Sequence, residues 1–191
     1  MSFAFFFPGQ GSQSLHMMDG FDGVSVVKNT FDEASASLGQ DLWAMMNGED
    51  SDLIGQTVNT QPLMLAAGVA TYRAYLEAGG KLPQVVAGHS LGEYSALVAA
   101  EALAFADAVK LVRLRAELIQ NAVPQGVGAM AAILGLEDGQ VKELCAAAAQ
   151  GEVVEAVNFN SPGQVVIAGH TAAVERAMTA AKEAGAKRAL P

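Results

Sequence analysis

Short, mostly apolar runs alternate along this chain with longer stretches in which apolar residues recur every three or four positions. The runs at 3–7 and 83–87 have the length of strands, and the continuous apolar character of the first predicts a buried one. Helical periodicity predicts helices at 26–38, 62–78, 93–100 and 105–122. Thr60 is the predicted cap of the second helix, with Pro62 in its first turn. Because strands alternate with helices here, the pattern indicates a parallel α/β sheet.

The pattern changes after residues 121–126. It then predicts a strand at 128–136 and a helix at 139–149. A hairpin follows, with strands at 153–158 and 164–168 and a turn at Ser161-Pro162-Gly163, and then another helix at 171–184. This order is that of a ferredoxin-like unit without its last strand, which would begin at 189–191, where the chain stops. Since a missing strand leaves a sheet edge exposed, we expect a fragment made of two subdomains, 1–123 and 124–191.

Composition argues against several classes of protein. The 191 residues are 51% hydrophobic, enough for a substantial core, and their net charge is −9 without a basic cluster. We therefore expect no binding to nucleic acid or to an anionic membrane. No apolar run approaches the ~18 residues that a membrane span needs, and the N-terminus lacks the features of a signal peptide. A soluble, cytoplasmic protein is predicted.

Thiol and imidazole groups are few. Cys145 is the one cysteine, which excludes an internal disulfide, and its apolar neighbours predict a place in the core. The histidines, His16, His89 and His170, share no helical spacing, so we predict no metal site.

One motif is directly associated with catalysis. Gly88-His89-Ser90-Leu91-Gly92 fits the pattern G-x-S-x-G and stands between a predicted strand and a predicted helix, which is the setting of a nucleophile elbow. Glycines two residues before and after Ser90 allow a sharp turn that exposes the hydroxyl group. An alternative is a capping box, in which Ser90 caps the helix and Glu93 bonds back to it. That alternative leaves both glycines unexplained, because glycine early in a helix lowers its stability.

The loop after the first strand, Pro8-Gly9-Gln10-Gly11, is rich in glycine. It has no Gly-Lys-Ser/Thr sequence, so we do not expect nucleotide binding. At the carboxyl end of a strand it can direct backbone amides towards Ser90, and the amides of Gln10 and Leu91 are then a predicted oxyanion hole. An ordinary tight turn explains the same loop equally well.

Arg115 is the second candidate. At about 100° per residue, it falls among the apolar residues of the 105–122 helix, whereas Arg113 falls among the polar ones. The predicted buried face consists of Phe105, Ala108, Val112, Ile119 and Ala122. A guanidinium on such a face needs an anionic partner. If the partner is a protein carboxylate, Arg115 is structural; if it is a ligand carboxylate, a nearby nucleophilic serine suggests an acyl group such as malonyl.

A nucleophilic serine needs a base, and no histidine fits that role. His89 adjoins Ser90 at a sharp turn, where neighbouring side chains usually point apart. His16 lies in a loop, and His170 ends the predicted hairpin. In α/β-hydrolases the histidine lies well after the serine. We expect the base to lie outside this sequence.

Five segments taken together point to a known family. They are 7–13 (FPGQGSQ), 60–62 (TQP), 88–95 (GHSLGEYS), Arg115 and 158–164 (NFNSPGQ). In this order they resemble the bacterial malonyl-CoA:acyl carrier protein transacylases. The resemblance implies an α/β-hydrolase-like large subdomain, incomplete here, with an inserted ferredoxin-like small subdomain and an active site in the cleft between them.

The resemblance also implies roles for individual residues. Ser90 is the nucleophile, and Arg115 binds the malonyl carboxylate. The oxyanion-hole amides are those of Gln10 and Leu91. Further substrate-binding residues are Gln61, His89 and Asn160.

The implied reaction moves a malonyl group from malonyl-CoA, a coenzyme A thioester, through an acyl-serine to the phosphopantetheine thiol of acyl carrier protein. It belongs to fatty acid biosynthesis and uses no cofactor. Leu91 directly after the serine resembles the malonyl-type version of the motif. Two alternatives stay open. One is a serine esterase or thioesterase with the same elbow; the other is an inactive fragment, because the family's catalytic histidine would lie beyond Pro191, in a missing C-terminal segment.

Overall fold

The computed structural model describes residues 2–124 and 126–191. They divide into two compact units between Asn121 and Ala122, close to the predicted boundary at 123/124. Each unit buries its own cluster of apolar side chains. Among the described helices, none combines the length and the hydropathy that a membrane crossing requires.

The first unit contains a parallel pair of strands, β1 (Ala4–Phe7) and β2 (Val85–Gly88), with Phe7 opposite Gly88. Its helices are α1 (Ser25–Leu38), α2 (Leu42–Met46), α3 (Ser51–Gly55), α4 (Thr57–Glu77), α5 (Gly92–Ala99) and α6 (Phe105–Asn121). Helix α4 contributes the largest share of the buried side chains in this unit. Because β1 and β2 run parallel and in register, the loops that follow them lie at the same edge of the sheet.

The prediction that the first strand is fully buried is wrong. Phe7 is 7% exposed and packs with Tyr72 and Ala96, but Phe6 is 78% exposed. Successive strand residues point to opposite faces of a sheet, and in the described residues only one face of this sheet is covered. An unbroken apolar run therefore predicted the strand correctly and its burial incorrectly.

Helix α4 begins earlier than predicted. It starts at Thr57, so Thr60 and Pro62 both lie inside the helix. The Thr60 hydroxyl does not cap the helix; it donates to the carbonyl oxygens of Ile54 at 2.6 Å and Gln56 at 3.0 Å. These bonds tie the first turn of α4 to the end of α3, which explains why the helix extends before the proline.

The second unit is ferredoxin-like. Its elements are β3 (Gly128–Leu134), α7 (Asp138–Ala149), β4 (Val154–Ser161), β5 (Gln164–His170), α8 (Thr171–Glu183) and β6 (Arg188–Leu190). The strands form an antiparallel sheet in the order β4-β5-β3-β6. Helices α7 and α8 supply much of the buried core of this unit, with Ile133, Val165 and Ile167 from the sheet.

The prediction that this unit lacks its last strand is wrong. Residues 188–190 form β6, which pairs with the end of β3, with Ala132 opposite Leu190. The amide of Lys187 also donates to the carbonyl oxygen of Leu134 at 2.7 Å. Three residues are enough to pair here because the chain returns from α8 directly beside the free edge of β3.

Cys145 lies in the core of the second unit, as predicted, and is 3% exposed. Burial is the main cause that raises the pKa of its thiol, and the charge of Glu155 adds to it. The thiol therefore stays protonated at neutral pH and packs as a small apolar side chain.

Candidate active site

The turn between β2 and α5 has the backbone geometry of a nucleophile elbow. Ser90 has φ of 52°, a left-handed conformation that is rare for residues other than glycine. Backbone hydrogen bonds hold the turn, from the Gly92 amide to His89 O at 2.9 Å and from the Glu93 amide to Ser90 O at 3.2 Å. Such a conformation costs about 1–3 kcal/mol and persists where the surroundings enforce it. The strain falls on the residue predicted to be the nucleophile.

The two glycines of the motif are required by close backbone contacts. A Cβ atom on Gly88 would lie 2.0 Å from the carbonyl carbon of Gly92. One on Gly92 would lie 2.2 Å from the carbonyl oxygen of Phe7, at the end of β1. No side chain larger than hydrogen fits at either position without backbone movement.

The capping-box alternative is wrong. Helix α5 has Leu91 at its N-cap position, and no side chain caps it. The Ser90 hydroxyl is exposed and accepts a hydrogen bond from Arg115 Nη2 at 2.8 Å. The hydroxyl group thus accepts a hydrogen bond from the charged Arg115 on α6 and not from the backbone amides of α5.

Arg115 is held by three groups: Ser90 in the elbow turn, Gln61 on α4 and Tyr94 on α5. Its Nη2 bonds Ser90 Oγ, and its Nη1 donates to Gln61 Oε1 on α4 at 2.8 Å. Its Cζ lies 5.7 Å from the centre of the Tyr94 ring on α5, within cation–π range. Tyr94 was not singled out in the sequence, although its place one helical turn after Ser90 was a usable signal.

No protein carboxylate neutralises Arg115 in the described part of the chain. The ion pairs there are His16–Asp19, Lys28–Asp32, Arg73–Glu33 and Arg176–Glu152. The structural alternative for Arg115 predicted a carboxylate partner, and the described residues supply only an amide, a hydroxyl and an aromatic ring. The guanidinium therefore keeps its positive charge beside the candidate nucleophile.

The predicted buried face of α6 is confirmed only in part. Phe105, Ala108 and Val112 are buried, but Ile119 is 49% exposed, and Ala122 belongs to the second unit. Arg115 is half-buried at the border of the covered stripe. Helical periodicity predicted which side of α6 is apolar, but it could not show how far along the helix other residues cover that side.

Gln61 is fully buried, and only one of the two polar atoms of its side-chain amide has a hydrogen-bond partner among the described residues. Its Oε1 accepts from Arg115, whereas its Nε2 has no hydrogen-bond partner among the described residues. A buried unpaired donor costs about 1–3 kcal/mol. The hydrogen bond that the Gln61 side chain makes among the described residues is the one that holds Arg115.

The predicted oxyanion-hole amides lie on the two loops that follow β1 and β2. A Cβ atom on Gly9 would lie 3.1 Å from His89 O, so the loops are in close contact. Gln10 Nε2 donates to Thr57 Oγ1 at 3.3 Å, which fastens its loop to the start of α4. Leu91 is buried, and the turn leaves its amide without a backbone partner in the described residues. The oxyanion role of both amides stays a prediction.

No described histidine bonds to Ser90 Oγ. His16 lies 3.7 Å from Asp19, and His170 Nδ1 accepts from the Val153 amide at 3.0 Å. His89 is exposed at the elbow. Nor do the described residues group three or more His, Cys, Asp or Glu side chains in a way that could hold a metal ion.

Asn160 lies in the second unit, exposed on β4 at an irregularity between Phe159 and Ser161. Such bulges redirect side chains and are frequent next to active sites. The substrate-binding roles of Asn160 and His89 stay predictions.

Residues 4–190 match the family model described as the acyl transferase domain. This chain belongs to that family. The malonyl CoA-acyl carrier protein transacylase of Escherichia coli K12 is 57% identical to it over 190 residues, which are 99% of this chain and 62% of that protein.

Solved structures share the fold of this acyl transferase domain. The acyl-carrier-protein S-malonyltransferase of Burkholderia pseudomallei superposes with a TM-score of 0.97 at 60% identity, over 100% of this chain and 62% of that one. A malonyl-transacylase solved in complex with a type II PKS acyl-carrier protein has a TM-score of 0.96 at 54% identity, again over 100% and 62%. The fold is therefore the α/β type with a ferredoxin-like unit. The chain spans about 62% of the length of these relatives.

Proposed function

We propose that this acyl transferase domain takes a malonyl group from malonyl-CoA onto Ser90 and passes it to the phosphopantetheine thiol of an acyl carrier protein. The reaction would serve fatty acid biosynthesis in the cytoplasm. One observation carries the proposal: the Arg115 guanidinium lies 2.8 Å from Ser90 Oγ and has no carboxylate partner in the described residues. A free guanidinium beside a nucleophile selects an acyl group that carries its own carboxylate.

In the acylation step, Ser90 Oγ attacks the thioester carbonyl of malonyl-CoA. Its proton passes to a base outside the described residues, and the C–S bond breaks as the CoA sulfur takes up a proton. The amides of Gln10 and Leu91 stabilise the tetrahedral oxyanion. The malonyl carboxylate replaces Ser90 Oγ as the partner of Arg115 Nη2, while Gln61 keeps its hold on Nη1. Substrate binding thereby frees the hydroxyl for attack.

In the transfer step, the thiol of the acyl carrier protein attacks the malonyl-serine ester and restores the Ser90 hydroxyl. A relative solved with an acyl-carrier protein supports this class of partner. Arg115 holds the far end of the acyl group, so that the ester carbonyl stays oriented for the incoming thiol.

The proposal is tested by intact-protein mass after brief exposure to malonyl-CoA. The complete protein that carries this chain is expected to gain one malonyl group, lose it on addition of acyl carrier protein, and gain nothing as Ser90→Ala. A protein that releases malonate from malonyl-CoA equally fast with and without acyl carrier protein would be a thioesterase instead. The 191-residue chain alone is expected to show no turnover, because no described residue supplies the base.

A further inference from the structure

A second half-buried arginine lies on α6, two residues before Arg115. Arg113 Nη2 donates to Gln40 Oε1, just after α1, and its Nε is buried without a partner among the described residues. Gln40 Nε2 donates to Asn59 Oδ1 at 3.2 Å. Asn59 is 5% exposed, and its Nδ2 donates to Leu53 O at 3.0 Å. A chain of two amide side chains, the half-buried Gln40 and the buried Asn59, thus links Arg113 to the first turn of α4.

Arg113 and Arg115 lie on opposite flanks of the stripe that α6 buries. At about 100° per residue, they are roughly 160° apart around the helix, with Val112 and Ala116, both 0% exposed, between them. On one flank α6 is tied through Gln40 to Asn59, and on the other it is tied directly to Gln61. Both ties end in the same stretch of α4, so together they fix the rotation of α6 about its own axis.

Rotation of α6 matters because Arg115 reaches Ser90 from the side of the helix. A group about 6 Å from the helix axis moves by about 1 Å when the helix turns by about 10°. A displacement of about 1 Å at a reacting site can lower the rate by about a hundredfold. Apolar contacts alone resist such a small rotation weakly, because they have no preferred direction.

We propose that Arg113, acting through Gln40 and Asn59, is a positioning residue that sets the distance between Arg115 and Ser90. It thereby sets the preference for acyl groups that carry a carboxylate. The inference rests on the proposed function, because that preference is expressed in the choice of malonyl over acetyl.

The test compares Arg113→Met with Arg73→Met in the complete protein. Arg73 is the control: it is half-buried, bonds Glu33 at 2.7 Å and Thr30 at 3.2 Å, and lies over the ring of Phe105, the first residue of α6. None of these contacts is to Ser90, Gln61 or Arg115. Acylation of Ser90 by malonyl-CoA and by acetyl-CoA gives a rate ratio for each variant. Arg113→Met is expected to lower this ratio about fivefold to tenfold, chiefly through a higher KM for malonyl-CoA. Arg73→Met is expected to lower the Tm but to change the ratio less than about twofold.

Conservative and paired variants separate positioning from general destabilisation. Arg113→Lys keeps a donor for Gln40 and should restore most of the ratio. Gln40→Met should reproduce the effect of Arg113→Met, and the double variant should be no worse than either single one, because one chain of bonds is broken in all three. If Arg113→Met does not fold, Gln40→Met carries the same test.

The role of Arg113 would be overturned, with the proposed function left intact, by either of two results. One is an equal loss of the malonyl and acetyl acylation rates in Arg113→Met; the other is a shift of the malonyl-to-acetyl ratio in Arg73→Met as large as that in Arg113→Met. A wild-type protein that takes up no malonyl group would overturn the proposed function, and the preference assigned to Arg113 with it.

Discussion

Arg115 in the first unit and Arg176 in the second are both half-buried, and they are bonded in opposite ways. In the second unit, Arg176 donates to the carbonyl oxygens of Ala148 at 2.9 Å and Ala149 at 3.1 Å and pairs with Glu152 at 2.7 Å. In the first unit, Arg115 bonds a neutral amide and a hydroxyl. Arg176 closes the end of α7 with its charge neutralised, whereas Arg115 keeps its charge available.

The difference lies in the counter-charge, which Arg176 has and Arg115 lacks among the described residues. Burial and hydrogen bonding are similar for both, so neither property decides the role. We propose that two features together decide the role of Arg115: it lies beside Ser90, which Arg113 does not bond, and it has no carboxylate partner among the described residues. A half-buried guanidinium without a counter-charge gains most from an anion that arrives with the substrate. Removing the charge of Arg115, or giving it a protein counter-charge, therefore tests this proposal.

The largest effect is expected from removing the free charge. Arg115→Ala in the complete protein should lower the rate of Ser90 acylation by malonyl-CoA about a thousandfold, because the substrate carboxylate loses its partner. Acylation by acetyl-CoA should fall far less. Intact-mass time courses measure both rates. Arg176→Met is the control; it should leave both acylation rates unchanged while it lowers the stability of the second unit. Equal losses of malonyl and acetyl transfer in Arg115→Ala would show that Arg115 does not bind the substrate carboxylate.

The next effect is expected from giving Arg115 a protein counter-charge. Gln61→Glu places a carboxylate against Arg115 Nη1, which makes Arg115 resemble Arg176. Malonyl acylation should fall about a hundredfold, because the internal carboxylate competes with that of the substrate. The Tm should change little, because the new ion pair with Arg115 offsets the cost of burying a second carboxylate oxygen in the place of the unpaired Nε2. Malonyl acylation at the wild-type rate would show that the charge on Arg115 is not what the substrate needs.

The smallest effect concerns the scaffold of each region. Gly92→Ala should lower the free energy of unfolding by at least about 2 kcal/mol, because the new Cβ meets the carbonyl oxygen of Phe7. Gly139→Ala is the matched control in the first turn of α7, where a new Cβ meets nothing within 4 Å. That variant should be neutral or more stable by up to about 1 kcal/mol. Urea unfolding of both variants measures the difference, and equal stabilities would mean that the elbow relaxes around the methyl group.

Secondary structure and the elbow could be predicted from the sequence with good accuracy because both depend on local patterns. The strands, the main helices and the two glycines of the motif follow from periodicity and from backbone sterics at Ser90. The wrong predictions concern features that depend on contacts between segments distant in the sequence. The exposure of Phe6 depends on which face of β1 is covered, the early start of α4 depends on side-chain bonds to α3, and β6 depends on the free edge of β3.

Residue order alone predicts that Ser90 stands on a sharp turn, that Arg115 lies at a buried stripe and that none of the three histidines fits the role of base. Those features depend on residue order and helical spacing alone. The hydrogen-bond partners of both groups depend on tertiary structure: Ser90 Oγ bonds Arg115 instead of capping α5, and Arg115 bonds Gln61 instead of a carboxylate. These hydrogen bonds depend on how closely α4, α5 and α6 pack, and no pattern within a single helix predicts that packing.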